Sequence, residues 1–386
     1  RIGNYPLNRS LLIVYKGEDS MRKKRISSVV VLLICLCLMM SMVAGCGSGD
    51  TDTDNKDAEP QTVTLTDSAK RQVEVPAEIT RIVPSGTLAQ IALFALAPDK
   101  LVGISTEWGS VAEQYLDDKY TSLPVVGQFY GQADLNLEEI AKIDPQVVID
   151  VGEPKPSIVE DMDGITEQVG IPTVHITATA ETMGDAYRML GELLGMEEEA
   201  KVLAEYCEDV YSNTNDIMGK VGDDKVDLVY CNGTDGLNVI AQGSFHAEII
   251  NLVSNNVAVA EDISSKGAGN PVDMEQLVLW DPDVIIFAPD GIYDTVADDP
   301  AWQKLTAIKN GNYYEVPMGP YNWMGFPPSV NRYMGMIWIT QLLYPDQAQY
   351  DVQQEATKYY DLFYHSELTE DQYKDLVANS LLKAEQ

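Results

Sequence analysis

Apolar residues between positions 81 and 177 switch repeatedly between two periods. Short runs rich in β-branched residues predict strands over 81–84, 101–105, 125–127, 146–151 and 172–176. Between them, apolar residues recur at helical spacing over 87–96, 110–117, 137–143 and 157–169. This alternation predicts a mostly parallel sheet with helices on both faces. A long helical stretch follows over 181–218, where Met183, Tyr187, Leu190 and Leu194 share one face. Gly195 is placed to kink it, and Glu197, Glu198 and Glu199 suit the start of a second helical piece by complementing its dipole. The alternation then resumes, with strands over 226–231, 237–241, 283–288 and 313–316 and helices over 247–253, 274–279 and 330–343. Pro345 ends the last of these. Two C-terminal helices follow, the second opened by Leu368-Thr369-Glu370-Asp371-Gln372-Tyr373, a capping box with a hydrophobic staple.

Residues 136–149 and 273–286 align without a gap. Glu138 matches Glu275, Asp144 matches Asp281, Pro145 matches Pro282, Val147 matches Val284 and Ile149 matches Ile286. Each copy reads as a short helix, an Asp-Pro stop and a buried parallel strand. The repeat therefore predicts two equivalent lobes joined by the helical stretch, with a chance match between similar units as the alternative. Two such lobes leave a cleft between them, where small ligands bind.

The N-terminal segment has a different character. Met21 is followed by Arg22, Lys23, Lys24 and Arg25, by an apolar run over 29–40, and by Met42-Val43-Ala44-Gly45-Cys46. A basic region, an apolar run and small residues before a cut read as a secretory signal. The run is shorter than the roughly 20 residues of a spanning helix. Met21 is read as the biological start, with residues 1–20 outside the translated protein. Val43-Ala44-Gly45-Cys46 resembles a bacterial lipobox, which implies cleavage before Cys46 and a diacylglycerol on its thiol. The alternative is an ordinary signal or anchor with a chance cysteine. The expected organisation is a signal over 21–45, a flexible acidic tether over 46–61, an N-terminal lobe over 62–179, a connecting helix over 180–222, a C-terminal lobe over 223–345 and C-terminal helices over 346–386. The protein is expected outside the cytoplasm, held on the cell membrane by its lipid.

The chain has 386 residues, 45% of them hydrophobic, which is enough for two domains with real cores. Its 60 acidic and 26 basic residues leave a net charge of −34. That balance argues against nucleic acid, whose phosphates need clustered Lys and Arg, and against a polybasic membrane anchor. The five cysteines contain no CxxC, so neither a zinc finger nor a thioredoxin-like site is signalled. Cys207 and Cys231 are left either to pair or to lie buried.

The order of elements from about 63 to 345 resembles the substrate-binding lipoproteins of ABC importers for iron complexes, haem and vitamin B12. The motifs that carry the resemblance are Arg81-Ile82-Val83-Pro84-Ser85-Gly86, Val126-Gly127, the two repeat units and the segment 327–344. It implies an α/β fold of two Rossmann-like lobes with mostly parallel sheets, joined by a long helix, with a ligand cleft between them and only modest closure. It also implies a monomer that hands its ligand to an ABC permease dimer with its ATPase. No resident cofactor is expected, the metal arriving within the ligand. In that family one Glu on each lobe, in the short helix before the Asp-Pro strand, docks onto arginine pockets of the permease. The matching residues are Glu138 and Glu275, the pair that the repeat aligns. The alternative for either is a solvated helix-face carboxylate.

Residues just after the strands of an open α/β lobe face its cleft. In the first lobe these are Ser85, Gly86, Trp108, Phe129, Tyr130 and Glu153. In the second they are Phe245, His246, Tyr321, Asn322, Trp323 and Arg332, with Asn232, Thr234 and Asp290 beside them. Trp108, Tyr130, Tyr321 and Trp323 are candidates to wall a large planar or chelated ligand, or else to pack the lobe rims. Arg332 is a candidate grip for an anionic ligand such as a ferric siderophore, or else a surface salt bridge. His246 either reaches a metal centre in the ligand or merely opens a helix. No HExxH or carboxylate-histidine cluster is present, so a pre-formed complex is expected rather than a bare ion.

The expected function is capture of an iron complex, a ferric siderophore, and its delivery to the permease. The same role for cobalamin or another corrinoid, haem or a molybdate-type oxyanion is the alternative. GxSxG, GxxxxGK[ST] and a strand-borne GxGxxG are all missing, so no enzyme is expected. A secreted α/β hydrolase is the remote alternative, and an adhesin would bind no small ligand tightly.

Overall fold

The computed structural model describes residues 61–129, 135–264, 267–289 and 291–381. The signal, the lipobox with Cys46, the acidic tether, Tyr130 and Asp290 lie outside the described residues. The chain opens with an antiparallel hairpin, β1 (Thr62–Thr66) and β2 (Gln72–Pro76), that the sequence reading did not anticipate. The first half is then β3 (Ile82–Pro84), α1 (Thr87–Leu96), α2 (Leu137–Ile143), β4 (Val147–Gly152), α3 (Ile158–Val169) and β5 (Thr173–Thr177). Its strands run parallel in the order β3-β4-β5. The expected strands over 101–105 and 125–127 are reduced to single parallel bridges, Ile82 to Leu101 and Ile104 to Val125.

The connecting stretch is not one kinked helix. Gly195 takes a left-handed φ of 64° and ends α4 (Met183–Leu194), and α5 (Glu197–Val221) starts afresh with three glutamates in its first turn. At about 1.5 Å per residue its 25 residues span about 37 Å. This is the long helix that packs on both halves: on α1 of the first, and on α6 (Glu248–Val253) and α8 (Asn331–Leu343) of the second.

The second half contains β6 (Asp227–Asn232), β7 (Asn238–Val239), β8 (Asn255–Asn256), β9 (Asn270–Pro271), α7 (Met274–Trp280), β10 (Val284–Phe287) and β11 (Tyr313–Glu315). The sheet order is β11-β10-β6-β7-β9, with β8 also on β6. The β10, β11 and β8 pairings are parallel, whereas β7 turns back antiparallel on β6. The helices α8, α9 (Val352–Tyr364) and α10 (Glu370–Leu376) complete the described chain, α10 with the expected capping box of Thr369 and Gln372.

The repeat is visible in three dimensions. The helices α2 and α7 are each seven residues long. Asn136 and Asp273 cap them by accepting from the N–H groups of Glu139 and Gln276. Both helices end in a left-handed aspartate, Asp144 with φ 44° and Asp281 with φ 38°, before the proline. Asp tolerates this conformation better than most residues, and the proline then forbids helical continuation. The strands that follow, β4 and β10, occupy equivalent central positions, each between two parallel neighbours.

Strand alternation divides the sheet residues among three clusters, one shared and one outside each sheet. Ile82, Val147 and Ile149 of the first sheet and Leu228, Tyr230 and Ile286 of the second face one continuous buried cluster that also takes in α1, α4, α5 and α8. Val83 and Val148 face a smaller cluster outside the first sheet, and Val229 and Ile285 one outside the second. The two halves are thus fused through a common core, and a large apolar contact of this kind opposes their relative motion. Cys207 and Cys231 are both buried and unpaired with each other. Burial pushes both thiols well above their ordinary range.

Candidate ligand-binding site

The first half brings its strand ends to one place. The chain leaves β3 at Ser85 and enters α1 through Gly86, whose extended φ of −170° starts the helix without a side-chain cap. Residues Ser85 to Ala89, Gln128 and the end of β4 line one side of a cavity of about 500 Å³. Phe245, His246, Gly267 and Phe326 of the second half line the other. The volume is ordinary for a small-ligand site.

Asp150 lies on the first-half wall. It is the one charged residue within an otherwise apolar β4, and only 6% of it is exposed. Its register partner on β5 is His175. The His175 Nδ1 lies 2.6 Å from Asp150 Oδ2, and the Ser85 hydroxyl donates to Oδ1 at 2.5 Å. The other ring nitrogen of His175 faces the Thr177 hydroxyl at 3.1 Å. Both ring nitrogens of His175 thus have partners, and His175 itself is not part of the cavity lining. Glu153 and the exposed Lys155 also line the cavity.

The second-half wall is aromatic. Phe326 stacks on Tyr230 with ring centroids 4.8 Å apart and on His246 at 5.5 Å. Burial pushes the Tyr230 phenol well up in pKa, against the hydrogen bond from Asn322, which donates to it at 2.8 Å. Tyr230 is therefore a neutral support for the stack.

Of the residues expected at the site, Ser85, Gly86, Glu153, Phe245 and His246 line the cavity. Four others do not. Trp108 is buried behind α1, its indole N–H donating to the Tyr120 carbonyl and its ring against Phe94 at 5.1 Å. Tyr321 packs on Trp108 at 5.7 Å, away from the cavity lining. Trp323 is fully buried in the shared core. Arg332 is neither a surface salt bridge nor a ligand grip. It is 1% exposed, pairs with Glu248, and stands 5.1 Å over the Phe245 ring. Glu248 also accepts from the Ala180 N–H at 2.9 Å, and the Tyr333 hydroxyl donates to the Ala180 carbonyl at 2.7 Å. Arg332 therefore ties the second half to the exit of the first, one layer behind the aromatic wall.

Asp150, Gln128, Lys155 and Phe326 were missed by the sequence reading. For Asp150 a signal existed: an acid interrupting the apolar run Val147-Val148-Ile149 before Val151. Glu138 and Glu275 are exposed in the first turns of α2 and α7, away from the cavity. Among the described residues no group of His, Cys, Asp and Glu could hold a bare metal ion. No helix among them is long and apolar enough to cross a membrane.

The sequence profile described as periplasmic binding protein matches residues 85–318, which contain most of both cavity walls. The chain belongs to the periplasmic binding protein family. As a periplasmic binding protein it is similar to the Fe(3+)-citrate-binding protein YfmC of Bacillus subtilis (strain 168), 26% identical over 225 residues, covering 56% of this chain and 62% of that protein. It is also similar to the putative ABC transporter substrate-binding lipoprotein YhfQ of the same organism, 24% identical, covering 52% of this chain and 62% of that one. The match spans about three fifths of the length of these curated relatives. Among solved structures, the ABC transporter solute binding protein from Sulfurospirillum deleyianum DSM 6946 superposes with a TM-score of 0.75 at 27% identity. That match covers 82% of this chain and 99% of the other.

Proposed function

We propose that this chain is an extracytoplasmic substrate-binding protein of an ABC importer, lipid-anchored through Cys46, that captures a ferric chelate and delivers it to a permease dimer with its ATPase. The observation that carries the reading is the cavity of about 500 Å³, walled by strand ends of one half and by aromatic rings of the other. It is far roomier than a four-oxygen oxyanion requires, and its apolar and aromatic lining suits the organic shell of a chelate. The iron is cargo held within its own chelator, so no resident metal or cofactor is needed, and the protein acts as a monomer without turnover. The named function of YfmC supports iron as the metal.

Glu138 and Glu275 are the proposed docking residues. Their support is their equivalent exposed placement on the two repeat helices, next to the half-exposed Leu137 in one copy and one turn before the exposed Leu279 in the other. Two carboxylates at a fixed separation on a rigid body read two symmetric basic sites, and adjacent apolar side chains add contact area.

A thermal-shift panel of ferric trihydroxamate, ferric citrate, haem, cobalamin and molybdate tests the reading. A ferric chelate at a hundredfold excess over its dissociation constant is expected to add about 2.7 kcal/mol of stability. A shift with cobalamin, haem or molybdate alone replaces the cargo, and no shift with any of them contradicts the proposal.

A further inference from the structure

Ligand charge is the property that the cavity walls define most sharply. Among the described residues, Lys155 is the only Lys or Arg lining the cavity; it is exposed, and Glu153 lines the cavity two residues before it. Arg332, the residue best suited to grip an anion, is buried behind Phe245 and paired with Glu248. The deep charge is Asp150. Its two oxygens are fixed by Ser85 and by His175, which is itself 1% exposed, so the carboxylate cannot turn away from an incoming ligand. A carboxylate has about four acceptor positions, so two remain after these bonds.

The uncapped N-terminus of α1 lines the same cavity and favours negative charge by roughly half an elementary unit. Asp150 already meets that half-charge, because it is bonded to Ser85, two residues before the helix begins. What remains deep in the cavity is a carboxylate edge with free acceptor positions and no basic side chain set beside it to receive an anion. Such an edge attracts a cation or an N–H donor, and it imposes a desolvation and repulsion penalty on an anionic ligand.

We infer that Asp150 is a specificity-determining residue that selects ferric chelates bearing a cationic or strongly hydrogen-bond-donating group and disfavours polyanionic ones. The inference rests on the ferric-chelate reading above and narrows it to one charge class. It also makes this cavity differ in preference from one built for ferric citrate.

The test compares three probes by equilibrium titration: a ferric trihydroxamate with a free terminal ammonium group, the same chelate with that amine acetylated, and ferric citrate. Wild-type protein is expected to bind the ammonium chelate at least about tenfold more tightly than the acetylated one, and ferric citrate more weakly still. In Asp150→Asn the ratio between the first two is expected to fall towards one. Were Asp150 only a staple between strand ends, the substitution would lower the melting temperature and weaken all probes alike, leaving the ratio intact. That result overturns the inference. So does equal wild-type affinity for the ammonium and acetylated chelates, or a wild-type preference for ferric citrate, and neither of these measurements needs the variant to fold. Failure of every ferric probe to bind instead overturns the ferric-chelate reading itself, and the inference with it.

Discussion

Arg332 and Asp150 are both charged residues placed next to the cavity, and the fold uses them in opposite ways. Arg332 faces Glu248 and Phe245, so its guanidinium holds the second half against Ala180 through Glu248. Arg332 is fully buried and Glu248 partly exposed, so removing the arginine empties a core site and breaks the pair while Glu248 keeps water and the Ala180 N–H as partners. Arg332→Ala is therefore expected to lower the unfolding free energy by about 2 kcal/mol in a urea titration. A loss below about 0.5 kcal/mol would place the charge in solvent and contradict the buried pairing. The chemistry of Arg332 was legible in the sequence, as an arginine opening a helix after an aromatic loop, but its direction was not. A helix buried all round, as α8 is, gives no pattern from which to read which side faces the ligand. Trp323 failed for the same reason: an aromatic in a loop reads equally as wall or as core. Ser85 and His246 were legible because they follow strands whose ends the topology brings together.

Elements were more legible than side-chain directions. The helical spacing gives α1 and α2 with the boundaries that the structure has, because each begins after a capping or turn residue and ends at an identifiable stop. The Asp-Pro repeat predicted equivalent α-β units, and both units have seven-residue helices, matching caps and central strands. The connecting segment was harder. In the sequence Gly195 reads as a kink, whereas its left-handed φ ends one helix and lets a second pack back on it. Gly191 shows how close that packing is: a Cβ there would lie 2.5 Å from Ala200 Cβ. The hairpin β1–β2 carries a signal that was missed: Thr62-Val63-Thr64-Leu65-Thr66 and Gln72-Val73-Glu74-Val75 both alternate polar with apolar residues, but β1 buries none of its residues fully. At this scale the repeat helices make a separable prediction. The double variant Glu138→Ala, Glu275→Ala is expected to keep its melting temperature and its ferric-chelate affinity, since both side chains are exposed and remote from the cavity. Uptake of radiolabelled iron by cells relying on the variant is expected to fall at least about tenfold. Undiminished uptake would assign the docking face elsewhere.

On the scale of the whole molecule, two similar α/β halves share one apolar core on one side and leave the cavity on the other. The shared core and the long α5 join the halves, so ligand recognition is expected to rely on a largely pre-formed site rather than on a wide hinge closure. The most direct test is to fill that site without disturbing the fold. Gly86 lines the cavity, has an extended backbone that any residue adopts, and has no atom within 4 Å of where a Cβ would stand. An equilibrium titration of Gly86→Trp with the ferric chelate that stabilises wild-type protein is the measurement to make. The expected result is a melting temperature close to wild type and an affinity at least about a hundredfold weaker. An isotherm indistinguishable from wild type would show that the cavity between the two halves is not where the ligand binds.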